Sequence, residues 1–285
     1  MAKKMAHCFR EVKMFLGVLI AVLLMAAQPA SADGRVYTVG IVPQFEASRL
    51  HGIWRPILDR LESETGLQFV IRGSSTISQF EIEFAAGQFD FAYMNPYHLV
   101  IANDSAGYLP IVYDGGRELS GVLVASRSSG ITSPEQLDGK VIAFPAPNAL
   151  GASLMMRQEL TDTFKISFTP RYVKTHDSVY INVLVGEAQA GGGVQATLRR
   201  QKQQYQDNLV VIHKTQSVPP HPLAALPSVP QDIQEQVRTA LLKMGETDQG
   251  RELLSKVPIS AIAPADLSLY IPLKNLGLDR FYQKP

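Results

Sequence analysis

The chain has 285 residues, 27 Lys+Arg against 26 Asp+Glu, and a single cysteine, Cys8. A near-neutral balance without a basic stripe argues against a nucleic-acid partner held through its phosphates, and one cysteine excludes a disulfide framework or a cysteine metal site. The length suffices for one large domain or two ordinary lobes built on apolar core alone.

The N-terminus carries Lys3, Lys4, Arg10 and Lys13, then the apolar run Met14 to Ala27, then Gln28-Pro29 and Ala30-Ser31-Ala32. This is the layout of a secretory signal peptide, 1–32, cut after Ala32. The run is shorter than the roughly 20 apolar residues of a membrane span, and no cysteine follows it to take a lipid anchor. The leader removes four basic residues and one acidic, so the exported chain carries 23 Lys+Arg against 25 Asp+Glu. Cys8 leaves with it, and the absence of disulfides in an exported chain points to a bacterial periplasm.

Strand-type and helix-type segments then alternate. Val36 to Val42 reads as a strand; Leu50, Trp54, Ile57, Leu58 and Leu61 fall at helical spacing over 48–64, and Gly66 closes that helix. Leu67 to Ile71 is a strand, Phe80, Phe84 and Ala85 belong to a short helix stopping at Gly87, and Phe89 to Tyr93 is a third strand. Pro96 opens the next helix, where proline is tolerated. The order β-α-β-α-β-α predicts a mostly parallel sheet covered by helices. After the irregular stretch Tyr113 to Arg117 the pattern restarts: strands over 121–126 and 141–144, a helix over 149–160, a strand over 171–173, a helix over 178–185 and a strand over 209–213. Val218-Pro219-Pro220-His221-Pro222 interrupts it again, and 230–254 is helical. The expectation is an α/β protein of two lobes, 33–118 and 119–221, with 222–285 returning to the first, joined by crossings near 114–119 and 217–223. A weak echo between Ala85-Ala86-Gly87-Gln88-Phe89-Asp90-Phe91-Ala92 and Leu184-Val185-Gly186-Glu187-Ala188-Gln189-Ala190-Gly191 fits two similar lobes.

Catalytic signatures are missing. His51, His98, His176, His213 and His221 sit in no H-E-x-x-H or other tight metal spacing. Gly151-Ala152-Ser153-Leu154-Met155 lacks the second glycine of a nucleophile elbow, Gly191-Gly192-Gly193 is not followed by Gly-Lys-Ser/Thr, and Glu81 and Glu83 point to different sides of a helix. No enzyme, metal or cofactor is expected.

Three landmarks carry a resemblance: Asp90-Phe91-Ala92-Tyr93-Met94-Asn95-Pro96-Tyr97, Ala143-Phe144-Pro145-Ala146-Pro147-Asn148-Ala149-Leu150-Gly151-Ala152-Ser153, and His176-Asp177-Ser178. In order and spacing they resemble the phosphate/phosphite/phosphonate-type periplasmic solute-binding proteins of ABC transporters, over nearly the whole chain after the leader. The resemblance implies a type II periplasmic-binding-protein fold with its ligand between the lobes, which agrees with the rule that parallel α/β sheets bind at the carboxyl ends of their strands. Those ends supply the candidate ligand-binding residues: Gln44, Phe45, Thr76, Tyr93, Asn95 and Tyr97 from the first lobe, and Asn148, Ala149, Leu150, Ser153, His176 and Ser178 from the second. Gly192 to Gln195 ends a further strand. Asn95, Tyr97 and His176 are expected to face one another. Asn148 opens a helix whose free N–H groups favour an anion or is simply its cap; the family also has a ligand-contacting histidine at the place of His176. One departure matters. Many members carry Ser-Thr-Ser-Gly where this chain has Ala149-Leu150-Gly151-Ala152, so the amides remain and the hydroxyls do not. A buried phosphate or phosphonate dianion needs saturated oxygens, so simple phosphonates and phosphate are not expected as preferred ligands; an oxyanion of lower charge, a small organic anion or a polar organic solute is.

The function expected is capture of a small solute by hinge closure, in a monomer, for delivery to a membrane permease. The alternative partner is a sensor histidine kinase. A secreted hydrolase would require Ser153 within hydrogen-bond reach of His176.

Overall fold

Alternating apolar residues make β1 (Val36–Ile41), with Tyr37, Val39 and Ile41 buried. The computed structural model describes residues 34–285, so the expected signal peptide and Cys8 lie outside the described residues. Helix α1 (Ala47–Thr65) lays Trp54, Ile57, Leu58 and Leu61 on the core and ends at Gly66, whose φ of 71° gives the left-handed turn that glycine adopts without strain. There follow β2 (Gln68–Arg72), α2 (Ile77–Ala85), β3 (Phe91–Tyr93), α3 (Pro96–Ala106) and β4 (Leu109–Asp114).

The second half holds β5 (Gly121–Ser126), β6 (Lys140–Phe144), a π-helical segment (Leu150–Met155) continuing into α4 (Met156–Asp162), β7 (Phe168–Tyr172) and α5 (His176–Leu184). It closes with β8 (Ala190–Val194), α6 (Gln195–Arg199), α7 (Gln203–Asn208) and β9 (Leu209–Lys214). The chain then gives β10 (Leu223–Ala225), α8 (Gln231–Met244), α9 (Asp248–Lys256) and β11 (Ile262–Pro264).

Two sheets result, ordered β11-β4-β10-β3-β1-β2 and β7-β6-β8-β5-β9. The parallel expectation holds for the cores β2-β1-β3 and β7-β6-β8; the outer strands, including β10 between β3 and β4, pair antiparallel. The first sheet contains strands from both ends of the sequence, because β10 and β11 return to it. The two connecting segments run side by side: Leu119 and Val218 exchange N–H···O bonds of 2.8 and 2.9 Å.

Two local features have reasons that sequence patterning does not carry. Strand β8, Ala-Gly-Gly-Gly-Val, has little strand propensity; its glycines answer to their neighbours. A Cβ at Gly192 would lie 2.0 Å from the Ala152 carbonyl oxygen and one at Gly193 2.2 Å from the Tyr180 hydroxyl. Likewise the helix expected from residue 149 begins as a wide π turn rather than an α-helix. Leu150, Ala152, Leu154, Met155 and Val194 belong to the same apolar cluster as the first sheet, so the halves share core along the cleft.

Candidate functional site

Strands β1 and β3 from the first sheet, and β6 and β8 from the second, all point their carboxyl ends into the cleft. Its innermost space is small, about 10 Å³ or room for a single water, and is lined by Gln44, Asn95, Ala149, Leu150, His176 and His221, with Val42, Ile77, Leu119 and Val194 as apolar walls. No lysine, arginine, aspartate or glutamate lines it. The Gln44 amide lies 2.9 Å from Nε2 of His221. The Asn95 side chain accepts from the His98 N–H at 2.8 Å, capping α3, and donates to the Asn148 carbonyl at 3.2 Å, joining the two halves. Gly151 and Ala152 complete the lining; the first N–H groups of their helix lack a carbonyl one turn earlier.

Burial sets the charge of both histidines. It pushes His176 down to about 4, and His221 down to about 3 with help from His98 and His176. Near neutrality both are uncharged hydrogen-bonding groups. Nδ1 of His176 lies 3.4 Å from the Thr197 hydroxyl.

Two larger spaces adjoin this one. A side chamber of about 90 Å³ shares Gln44, Leu119, Val194 and His221 with it and adds Phe45, Trp54, Tyr93 and Arg200. Tyr93 packs on Trp54 at 4.9 Å and stacks on the His221 ring at 5.5 Å and 25°. On the other side a space of about 460 Å³, lined by Phe45, Thr76, Ile77, Pro145 and Lys174, leads to solvent. At its margin Arg49 covers the Phe45 ring at 4.0 Å and pairs with Asp177 at 3.2 Å. Thr76 is exposed there and caps α2 by accepting from the Gln79 N–H at 3.0 Å.

Gln44, Phe45, Thr76, Tyr93, Asn95, Ala149, Leu150 and His176 thus line these connected spaces. Four other candidates sit elsewhere. Tyr97 turns from the cleft to meet Tyr282 edge-on at 5.8 Å, because the second residue of α3 faces the C-terminal segment. Asn148 is neither a helix cap nor a cleft residue: its amide donates to Glu81 at 2.9 Å and to the Gln283 carbonyl at 2.7 Å, and its Oδ1 accepts from the Gln283 N–H at 2.9 Å. Ser153 accepts from Arg157 at 3.1 Å inside the core, so no Ser153–His176 pair forms. Ser178 bonds back to Thr175, which caps α5. His221, Arg200 and Thr197 were not among the sequence candidates. His221 follows Pro219-Pro220 in a connecting segment, a place where only the strand-end rule applied to the crossings would have found it. Among the described residues, no group of three or more His, Cys, Asp or Glu could hold a metal ion.

Two mixed sheets joined by paired crossings, with an uncharged space between them, have the two-lobed architecture of a type II periplasmic-binding protein. The chain belongs to the ABC transporter, phosphonate, periplasmic substrate-binding protein family, whose model matches residues 39–270. Among solved structures it resembles a binding protein component of an ABC phosphonate transporter from Pseudomonas aeruginosa, at 18% identity and TM-score 0.75 with 86% of each chain covered. It also resembles PhnD1 of Prochlorococcus marinus in complex with methylphosphonate, at 13% identity and TM-score 0.79, covering 87% of this chain and 99% of that one. A Xanthomonas citri protein bound to ATP matches at 17% identity and TM-score 0.70, covering 86% and 98%. The family consists of solute-binding proteins, not enzymes; it is periplasmic and works with a small-molecule ligand and a membrane permease.

Proposed function

We propose that this chain captures a small solute of low charge in the inner space between its lobes and hands it, closed, to an ABC permease. The lobes 33–118 with 222–285, and 119–221, would rotate about the paired crossings, and the chain would act as a monomer after cleavage behind Ala32. The observation that carries the reading is the convergence of Gln44, Asn95, Leu150, His176 and His221, from both halves and a crossing, on one small space at the base of the cleft. With Ala149 and Leu150 in the wall and two neutral histidines, this space has hydrogen-bond donors and acceptors but no cation. Burying a phosphate or methylphosphonate dianion there would leave its charge unpaired, at a cost of several kcal/mol. Simple phosphonates and phosphate are therefore disfavoured.

The test is a calorimetric and thermal-shift survey of oxyanions, phosphonates and organic acids with the protein lacking residues 1–32. A ligand at 100 times its Kd stabilises by about 2.7 kcal/mol, a rise in Tm of several degrees for a chain of this size. Asn95→Ala and His176→Ala should each weaken binding by about 1–3 kcal/mol with unchanged circular dichroism. Parent-like binding by both variants would overturn the assignment, and sub-micromolar binding of phosphate, phosphite or an alkylphosphonate would overturn the ligand reading.

A further inference from the structure

The side chamber beside the inner space combines features that a bare oxyanion would not use. One wall is hydrocarbon and aromatic: Ile53 and Trp54 of α1, Tyr93 at the end of β3, and Val257 and Ile259 after α9. Behind Trp54, Tyr93, His221 and Ile259 lie core side chains such as Ile57, Leu223 and Leu254, with a gap of only about 10 Å³ between them. The charged residues on the chamber are Asp114, Arg117, Glu118, Arg200 and Lys256.

These charges are not equivalent. Asp114 is buried and already accepts from the Gly116 and Ala261 N–H groups and from Ser260, with Arg117 at 3.6 Å. Glu118 and Lys256 are exposed at the rim. Arg200 is half-buried and donates to the Ser255 carbonyl at 3.0 Å, yet no carboxylate among the described residues pairs with it. A guanidinium has five N–H donors in a fixed fork suited to a carboxylate. Burial holds its pKa below the usual range, and the nearby Arg49 and Arg117 lower it further, so the site favours one added negative charge.

We infer that the cleft takes a singly charged organic acid, with its carboxylate on Arg200 and a hydrocarbon body of several carbons against Ile53, Trp54 and Tyr93. This deepens the solute-binding reading above and rests on it. A monoanion matches one unpaired guanidinium. A hydrocarbon body fills the apolar wall that phosphate or methylphosphonate would leave in contact with water. The Gln44–His221 pair, shared between chamber and inner space, meets the other end of the molecule with neutral polar groups.

The probes are acetate, butanoate, hexanoate and phenylacetate, with phosphate and methylphosphonate alongside, titrated calorimetrically into the protein. Each added methylene should tighten binding about fourfold, the value for burying a CH₂, and hexanoate should exceed methylphosphonate. Arg200→Met should weaken every carboxylate about tenfold or more, while Ile53→Ser should flatten the dependence on chain length; melting curves confirm that both variants fold. A flat series, phosphate or methylphosphonate binding more tightly than hexanoate, unchanged binding in Arg200→Met, or no carboxylate binding at all would each overturn the inference. The two readings fail differently. If binding is flat with chain length but weakened by His176→Ala, the organic acid is wrong and the inner space stands. If binding rises with chain length but ignores His176→Ala and Asn95→Ala, the chamber stands alone.

Discussion

At the scale of single residues, the most consequential group outside the cleft is Glu81. It sits inside the first lobe, 1% exposed, 2.9 Å from Nε2 of a wholly buried His98, and receives the Asn148 amide on its other oxygen. Phe80 and Phe84 pack around the histidine ring at 6.0 and 5.5 Å, which keeps water from the pair. Its helix neighbour two positions on, Glu83, instead accepts from Ser74 and Gln79. The i,i+2 spacing separated the two carboxylates correctly, but only the packing shows that one is a buried polar hub. Removing Glu81 leaves the buried Asn148 amide and the buried His98 ring without their polar neighbour, which costs about 1–3 kcal/mol. Glu81→Ala should lose that much in urea unfolding, and it should also loosen the C-terminal segment, because Asn148 links Glu81 to Gln283. A loss below about 1 kcal/mol would contradict this role.

At the scale of elements, the π-helical segment and β8 determine each other. The π turn brings the Ala152 carbonyl against Gly192 and the Gly151 carbonyl against Gly121, where an added Cβ would lie 2.0 Å from the oxygen in both cases. Backbone meeting backbone at that distance can be relieved only by moving one element. Gly192→Ala should therefore shift the π segment, whose Leu150, Gly151 and Ala152 line the inner space, and cost about 1–3 kcal/mol as overpacking does. Denaturant melts and binding should fall together in this variant; retained stability with normal binding would mean the elements are not rigidly coupled. The glycine triplet, read in sequence as a failed phosphate loop, thus has a structural reason that no local pattern carries.

At the scale of the whole molecule, the two neutral histidines sit where the halves meet, so their protonation acts on the assembled cleft. Folding lowers them from an ordinary 6.5 to about 4 for His176 and about 3 for His221. Below 6.5 the unfolded chain binds protons that the folded one does not. This contribution to stability is complete above about pH 6.5 and is lost as pH falls toward the folded values. Together the two groups should remove about 2 kcal/mol between pH 6 and pH 5, before most carboxylates titrate. Urea unfolding at pH 7, 6 and 5 measures it, and His221→Gln should roughly halve the slope. Stability that holds or rises over that interval would show that the histidines are solvated. By contrast Arg49–Asp177, with both side chains more than a third exposed, adds little to stability.

Sequence by itself was enough for the alternation of strands and helices, the two lobes' segment order and the family. Those rest on periodicities of 2 and 3.6 and on chain-local turn residues such as Gly66, which close neighbours along the chain enforce. It also marked Gln44, Asn95 and His176, because strand ends in α/β sheets converge. Only the tertiary structure decided which strand-end side chains turn inward. Tyr97, Asn148 and Ser153 are spent on Tyr282, Gln283 with Glu81, and Arg157, partners 185, 135, 67 and 4 positions away in the chain by their numbers. His221 and Arg200 reach the cleft from a crossing and a short helix end for the same reason. Burial, hydrogen-bond competition and charge pairing are settled by what folds against a residue, and three of those four partners are far away in sequence.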